Sequence, residues 1–298
     1  MYSKPEGKSM SNRNFITREQ LLDLMRKYNI GKKPLSRLLG WGETTVLLYS
    51  SMDDIPHNEY SERLYQLYTD KCSFLDLLIK NMDRITDVAF RKSIIAVHKP
   101  IFENRILSVA QYILDRSKSG ISQAHLEVIL MWAQILSLKF YDRPMFDDIY
   151  QPSKGNGNSP YRTVAEGFRD KVFFNFREFH NKQEMENNVG EAFRPQLKKL
   201  LSKGDTEIID HMIEFFSWYG EKAFTSLLAA ERYRICGPVS SKTRRSASND
   251  MIKKIYNEVL DQAKVKKLKD FDSFMSKRIE ALRKKIFTVE TQNETGNE

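Results

Sequence analysis

Lys32, Lys33 and Arg37, with Ser36 among them and Glu43, Thr44 and Thr45 close behind, are the residues of this chain whose types and spacing point most directly to a chemistry. That chemistry is recognition of a polyanion, not the making of bonds. Cations at a helix start contact phosphates, and a short polar run opening the next helix meets base edges in the major groove. The spacing suits a helix–turn–helix, with Pro34–Leu39 as the first helix, Gly40-Trp41-Gly42 as the turn and Glu43–Tyr49 as the recognition helix. Leu35, Leu38, Leu39, Val46 and Leu47 would then form its small core. From the pattern alone an ordinary small helical bundle stays open, with Lys32 and Lys33 as a solvated helix start.

The rest of the chain offers no catalytic constellation. The histidines His57, His98, His125, His180 and His211 stand apart, at no metal-ligand spacing. Glu207, Asp210 and His211 share a helix face, a pattern that solvates a surface more often than it binds a metal. Lys154-Gly155-Asn156-Gly157 lacks the Gly-Lys-Ser/Thr ending of a phosphate loop, and no strand precedes it. Cys72 and Cys236 exclude a disulfide framework and a Cys-rich zinc module, and Cys236 has no histidine nearby in sequence to activate it. The expectation is a protein that is not an enzyme and takes no cofactor and no metal.

Charge supports the same direction. Lysine and arginine total 48 against 39 acidic residues, a formal net charge of +9. Residues 1–40 hold nine basic side chains against three acidic ones, and positive charge returns from Lys242-Thr243-Arg244-Arg245 to Lys284-Lys285. Such a balance fits a polyanionic partner without proving one. No run approaches the ~20 apolar residues that span a bilayer, and Met1–Glu6 has no apolar signal segment. A cytoplasmic protein without a membrane partner is expected.

The elements that must carry these residues read as helices nearly throughout. Thr17 with Gln20 three residues later has the form of a capping box ahead of Leu21, Leu22 and Met25. Pro34 at the first helical position and Gly40 just past the helix end follow the usual asymmetry. Helices are predicted over Tyr60–Tyr68, Phe74–Asn81 and Asp87–His98, and again through Ile106, Val109, Ala110, Ile113 and Leu114. Ser122 caps a long segment, His125–Phe140, that is apolar nearly all round, the mark of a helix buried on several sides. Pro152–Pro160, with two prolines and two glycines, is the clearest loop. Beyond it the pattern predicts helices at Tyr161–Arg169, around Arg194–Ser202, at Glu207–Tyr219 and at Glu221–Arg234. Asn249 or Asp250 caps one reaching about Lys264. The last, Phe271–Phe287, is amphipathic through Leu268, Phe271, Phe274, Met275, Ile279 and Leu282, a spacing that suggests docking on the body or on a partner, with lysines able to supplement DNA contacts and a charged helix in solvent as the default reading. Trp132, Trp218 and Tyr219 are expected as core aromatics.

Two segments resemble known families. Ile30-Gly31-Lys32-Lys33-Pro34-Leu35-Ser36-Arg37-Leu38-Leu39-Gly40-Trp41-Gly42-Glu43-Thr44-Thr45, followed by Asp54-Ile55-Pro56 and Glu59-Tyr60-Ser61, resembles the Xre-type helix–turn–helix of antitoxins and phage-associated regulators, in particular that of MqsA-type antitoxins. It departs from them at Leu48-Tyr49, where an Arg-Tyr pair is usual, and at Met52 or Asp53, where a glycine is usual. From Ile101 to Leu260 the order of features is similar to the Panacea domain of SocA-like antitoxins. Val109–Leu114 resembles its opening helix, Leu130-Met131-Trp132-Ala133-Gln134 its central helix, and Arg143–Asp148 the turn into its characteristic loop. Gly157–Tyr161, Tyr219-Gly220 with Phe224, Leu227 and Leu228, and Ser248–Tyr256 follow in the family's order. The His and Trp common after the late helix are absent, with Glu231 and Tyr233 nearby instead.

The resemblance implies a modular antitoxin that neutralises a cognate toxin, encoded nearby, by direct protein binding. It implies that the helix–turn–helix represses its own operon at operator DNA. It also leaves open delivery of the toxin to a protease and a homodimeric state. The expected fold is mainly α: a lead-in at 1–14, a helix–turn–helix domain at 15–85, and a connecting helix at 86–104. A larger all-helical Panacea-type domain at 105–262 and a charged C-terminal amphipathic helix and tail at 263–298 complete it. Lys32, Lys33, Ser36, Arg37, Glu43, Thr44 and Thr45 are the candidate DNA-binding residues. Tyr150, Asn156, Asn158, Tyr161 and Arg162, on or beside the Pro/Gly loop, are the candidate toxin-binding residues, with a plain connector as the alternative for that loop. For the whole chain the alternative is a phage or mobile-element transcriptional regulator without a toxin partner.

Overall fold

Helices account for the regular structure throughout the described part of the chain, residues 14–117, 121–146, 162–170, 183–236 and 248–294 of this computed structural model. In chain order they are α1 (Arg18–Lys27), α2 (Lys32–Leu39), α3 (Thr45–Ser51), α4 (Glu59–Thr69), α5 (Lys71–Lys80), a 3-10 turn (Met82–Arg84), α6 (Asp87–Val97), α7 (Lys99–Glu103) and α8 (Arg105–Arg116). They continue as α9 (Gln123–Tyr141), α10 (Arg162–Arg169), α11 (Gln183–Leu200), α12 (Lys203–Phe216), α13 (Glu221–Cys236), α14 (Asn249–Gln262) and α15 (Leu268–Glu294). No strand occurs among the described residues. The chain forms two compact units, Met1–Lys99 with Lys182–Phe193, and Pro100–Asn181 with Arg194–Glu298. Thus α6 belongs to the first unit and α15 to the second.

In the first unit, side chains close the open helix starts. Thr17 and Gln20 form the capping box that their spacing predicts, each side-chain oxygen accepting the other's backbone N–H. Asn58 and Ser61 do the same for α4, Asp70 caps α5 and Thr86 caps α6. Leu21, Leu24, Leu35, Leu38, Val46, Leu64, Leu67, Phe74 and Leu78 are buried together as the core. Tyr28 stacks on Phe74 with ring centroids 3.8 Å apart, and its hydroxyl donates to the Leu67 carbonyl at 3.4 Å.

The second unit is built around α9, in which every residue from Leu126 to Leu138 is buried, as its all-round apolar sequence predicts. α8, α12, α13 and α14 pack against it. Trp132 is fully buried among Tyr256, Phe271 and Phe274, so α14 and α15 close over one indole. Gln134 is the polar clasp of this core. Its Nε2 donates to the Phe146 carbonyl and to Asn249 Oδ1, and its Oε1 accepts the Met145 and Phe146 N–H groups. Asn249 is therefore engaged elsewhere, and Ser248 caps α14 in the place expected for Asn249 or Asp250. The C-terminal helix is no solvated default, because Phe271, Met275 and Ile279 are buried. Trp218 departs most from expectation. α12 ends at Phe216, and the indole two residues later is 85% exposed instead of joining the core.

His98 supplies a test of the first unit's stability. Its Nδ1 lies 2.9 Å from the Ile94 carbonyl and its ring edges Phe193. Burial, outweighing the bond to Ile94, pushes its pKa from 6.5 down to about 3. Between those values the unfolded chain holds a proton that the folded one does not, so each step down in pH favours unfolding. Stability should fall as pH is lowered from 7 to 5, before the carboxylates titrate, and His98→Leu should flatten that dependence. Thermal melts of both forms across this window check it, and an equal slope in the two would refute it.

Candidate nucleic-acid interface

The segment from Lys32 to Ser51 holds its two short helices in a fixed relation through Ser36. α2 begins at Lys32, two residues before Pro34, and closes at Gly40, whose left-handed φ of 71° is natural to a residue without a Cβ. The Trp41 N–H then donates back to the Ser36 carbonyl at 2.9 Å, and the Thr45 N–H donates to the Gly42 carbonyl at 3.0 Å. Finally the Val46 N–H, an open donor in the first turn of α3, donates to Ser36 Oγ at 3.3 Å. Trp41 lies edge-on to Tyr60, which seats the turn against α4.

This geometry corrects one candidate outright. Ser36 is fully buried and its hydroxyl is committed to the Val46 N–H, so it holds α3 in place and presents no surface to a ligand. A second correction concerns the small core. Leu35, Leu38 and Val46 are buried as expected and Leu39 is half-buried, but Leu47 is 47% exposed. Tyr49 takes the inward place. It is buried, and its hydroxyl accepts the Asn58 side-chain N–H at 2.8 Å. From the other side the Arg18 guanidinium donates to the Ser50 carbonyl at 3.1 Å, tying the end of α3 to α1. Neither Arg18 nor Asn58 was singled out by its sequence context, although Asn58-Glu59-Tyr60-Ser61 carries the signature of a helix start.

The charged members of the set converge. Arg37 Nε donates to Glu43 Oε1 at 2.9 Å, with an Nη2 of the same guanidinium at 2.5 Å, and Lys33 Nζ stands 3.9 Å from the other carboxylate oxygen. The hydrogen bond and charge of Arg37 hold the Glu43 carboxyl below its ordinary pKa, with a smaller contribution from Lys33. All three side chains are exposed, and exposed pairs of this kind are weak, so an anion can compete for either cation. Lys32 is half-buried, Thr45 is half-buried and Thr44 is exposed. Thr44 precedes α3 without using its side chain as a cap. The face around the turn thus gathers the cations Lys32, Lys33 and Arg37 with the hydroxyls of Thr44 and Thr45.

The other expected surface is different. Tyr150, Asn156, Asn158 and Tyr161 lie outside the described residues, and Arg162 is the first residue of α10. In the second unit Asp210 receives the Arg116 guanidinium and the Tyr112 hydroxyl, while His211 Nε2 lies 2.7 Å from Asp272. Among the described residues no three His, Cys, Asp or Glu side chains gather as a metal site would need.

Ser36→Ala leaves the Val46 N–H without its acceptor at a buried junction, so the first unit should lose about 1 kcal/mol of stability. Denaturant unfolding measures this; Ser36→Thr, which restores an oxygen, separates loss of the bond from general repacking. Among known proteins the chain matches no family model, no curated protein and no solved structure.

Proposed function

We propose that this chain is a non-enzymatic binding protein whose first unit docks on duplex DNA through α2, the Gly40-Trp41-Gly42 turn and α3. The observation that carries the reading is the pinned helix pair itself. Ser36 fixes α3 against α2 and leaves Lys33, Arg37, Glu43 and Thr44 exposed on one short segment. In this reading α2 supplies the phosphate contacts and α3 enters the major groove, the docking geometry of helix–turn–helix proteins.

The larger proposal is a cytoplasmic antitoxin that represses its own operon and neutralises a toxin encoded beside it. It rests on the resemblance of Ile101–Leu260 to the Panacea domain and of Ile30–Ser61 to the antitoxin helix–turn–helix. No described helix is long and apolar enough to cross a membrane.

Binding to the chain's own upstream region, measured over a salt series, tests the DNA reading. Lys33→Ala should weaken binding to every duplex and reduce the salt slope by about one. Thr44→Ala should instead cost discrimination between sequences, about 1–3 kcal/mol for a lost base contact. Wild-type affinity for the upstream region no greater than for random duplex would reject the operator. Co-expression with the product of the adjacent gene tests the antitoxin reading. That product alone should arrest growth and this chain should restore it while co-purifying with it; a harmless neighbour leaves a transcriptional regulator without a toxin.

A further inference from the structure

α3 is unusual for a helix meant to read bases, because it carries no charged and no amide side chain. Its residues are Thr45-Val46-Leu47-Leu48-Tyr49-Ser50-Ser51. Val46, Tyr49 and Ser50 are buried against the unit. What remains outward is Thr44 just ahead of the helix, Leu47, Leu48 and Ser51, with Leu47 and Leu48 47% and 52% exposed. Thr44 and Leu48 stand four residues apart, so they share one stripe, and Leu47 flanks it. The strong hydrogen-bonding readers of base edges are Arg, Lys, Asn, Gln and the acids. Just ahead of α3 such a residue is Glu43, and its carboxylate is already held by Arg37 and approached by Lys33; Arg18 and Asn58, which touch α3, are committed to the Ser50 carbonyl and the Tyr49 hydroxyl.

The chemistry left to this face is hydroxyl and aliphatic. A major groove presents one apolar group on its base edges, the C5-methyl of thymine. Two leucines left in water on an otherwise satisfied helix gain by covering apolar surface. Charge complementarity selects DNA as the occupant, since Lys33 and Arg37 on α2 stand beside the turn that leads into this stripe. We propose that Leu48, flanked by Leu47, reads thymine methyl groups, so that specificity in this protein comes from apolar contact and not from bidentate hydrogen bonds. The inference rests on the reading that α3 enters the major groove, and it names the bases that reading leaves open.

The experiment uses the full chain. Duplexes selected from a random pool by binding are resynthesised with each thymine in turn replaced by deoxyuridine, which removes the methyl and nothing else. Affinities are then measured for the wild type, Leu48→Ala and Leu47→Ala. The selected sites should be rich in thymine, and removing a contacted methyl should weaken wild-type binding about fourfold. Leu48→Ala should bind thymine and deoxyuridine forms alike while keeping its melting temperature and salt slope. Wild-type protein that discriminates among sequences yet ignores the methyls would overturn the inference and leave the DNA reading standing. Failure to bind any duplex would overturn both. Leucine variants that bind all duplexes as the wild type does but lose the product of the adjacent gene would show the pair to be a protein contact, which also overturns it.

Discussion

One buried serine determines how α3 is presented. The main-chain oxygen of Ser36 accepts the Trp41 N–H, and its side-chain oxygen accepts the Val46 N–H, so a single residue closes the turn and caps the following helix. The hydroxyl substitutes for a local cap, because Thr44 does not cap α3 with its own side chain. Seven residues of helix have little stability of their own. α3 therefore depends on what holds it: Ser36 at one end, Arg18 and Asn58 toward the other, and Val46 and Tyr49 in the core. With those groups turned inward, the outer face is defined by what is left, namely Thr44, Leu47, Leu48 and Ser51.

The second unit solves a different problem, the joining of several helices to one apolar rod. Hydrophobic contact with α9 is non-directional and would accept many arrangements. Buried carboxylates supply direction. Asp205 on α12 is fully buried between Arg105 of α8 and Arg143 just after α9, at 2.6 and 2.8 Å. Glu231 on α13 is fully buried too, receiving Arg278 of α15 and the Tyr256 hydroxyl of α14. Burial, reinforced by Glu231, raises the Tyr256 pKa well above its ordinary value, so this hydroxyl stays a donor. Removing one partner of such a cluster leaves an uncompensated charge inside the protein, which costs far more than the intact cluster contributes. These ion pairs join particular helices, α8 to α12 and α13 to α15.

Most of the architecture is legible in the sequence because it depends on local patterns. The helical periodicity, the Thr17–Gln20 box, the Gly40 stop and the all-apolar run of α9 each act over a few residues, and each appears as expected. What escapes is decided by distant partners. Trp218 looks like a core aromatic from its neighbours, yet α12 stops short of it and no described residue covers it. α11 begins well before the expected start near Arg194 because Pro195, a natural helix opener, is accommodated inside the helix. The candidate site divides the same way. The helix–turn–helix spacing shows in Pro34, Gly40 and Gly42, and the exposure of Lys33 and Thr44 follows from it. That Ser36 points inward and Leu47 outward depends on which side of α3 meets the rest of the unit, and that is set by Arg18 and Asn58, both far from α3 in the pattern that betrays it.

On the proposed reading the α2–turn–α3 segment is the surface that meets DNA. Backbone hydrogen exchange, followed by mass spectrometry with and without a bound duplex, addresses it directly. Slowing on binding should concentrate in Lys32–Met52 and leave the buried α9 as it was. Slowing confined to the second unit, or none in Lys32–Met52 despite tight binding, would contradict it.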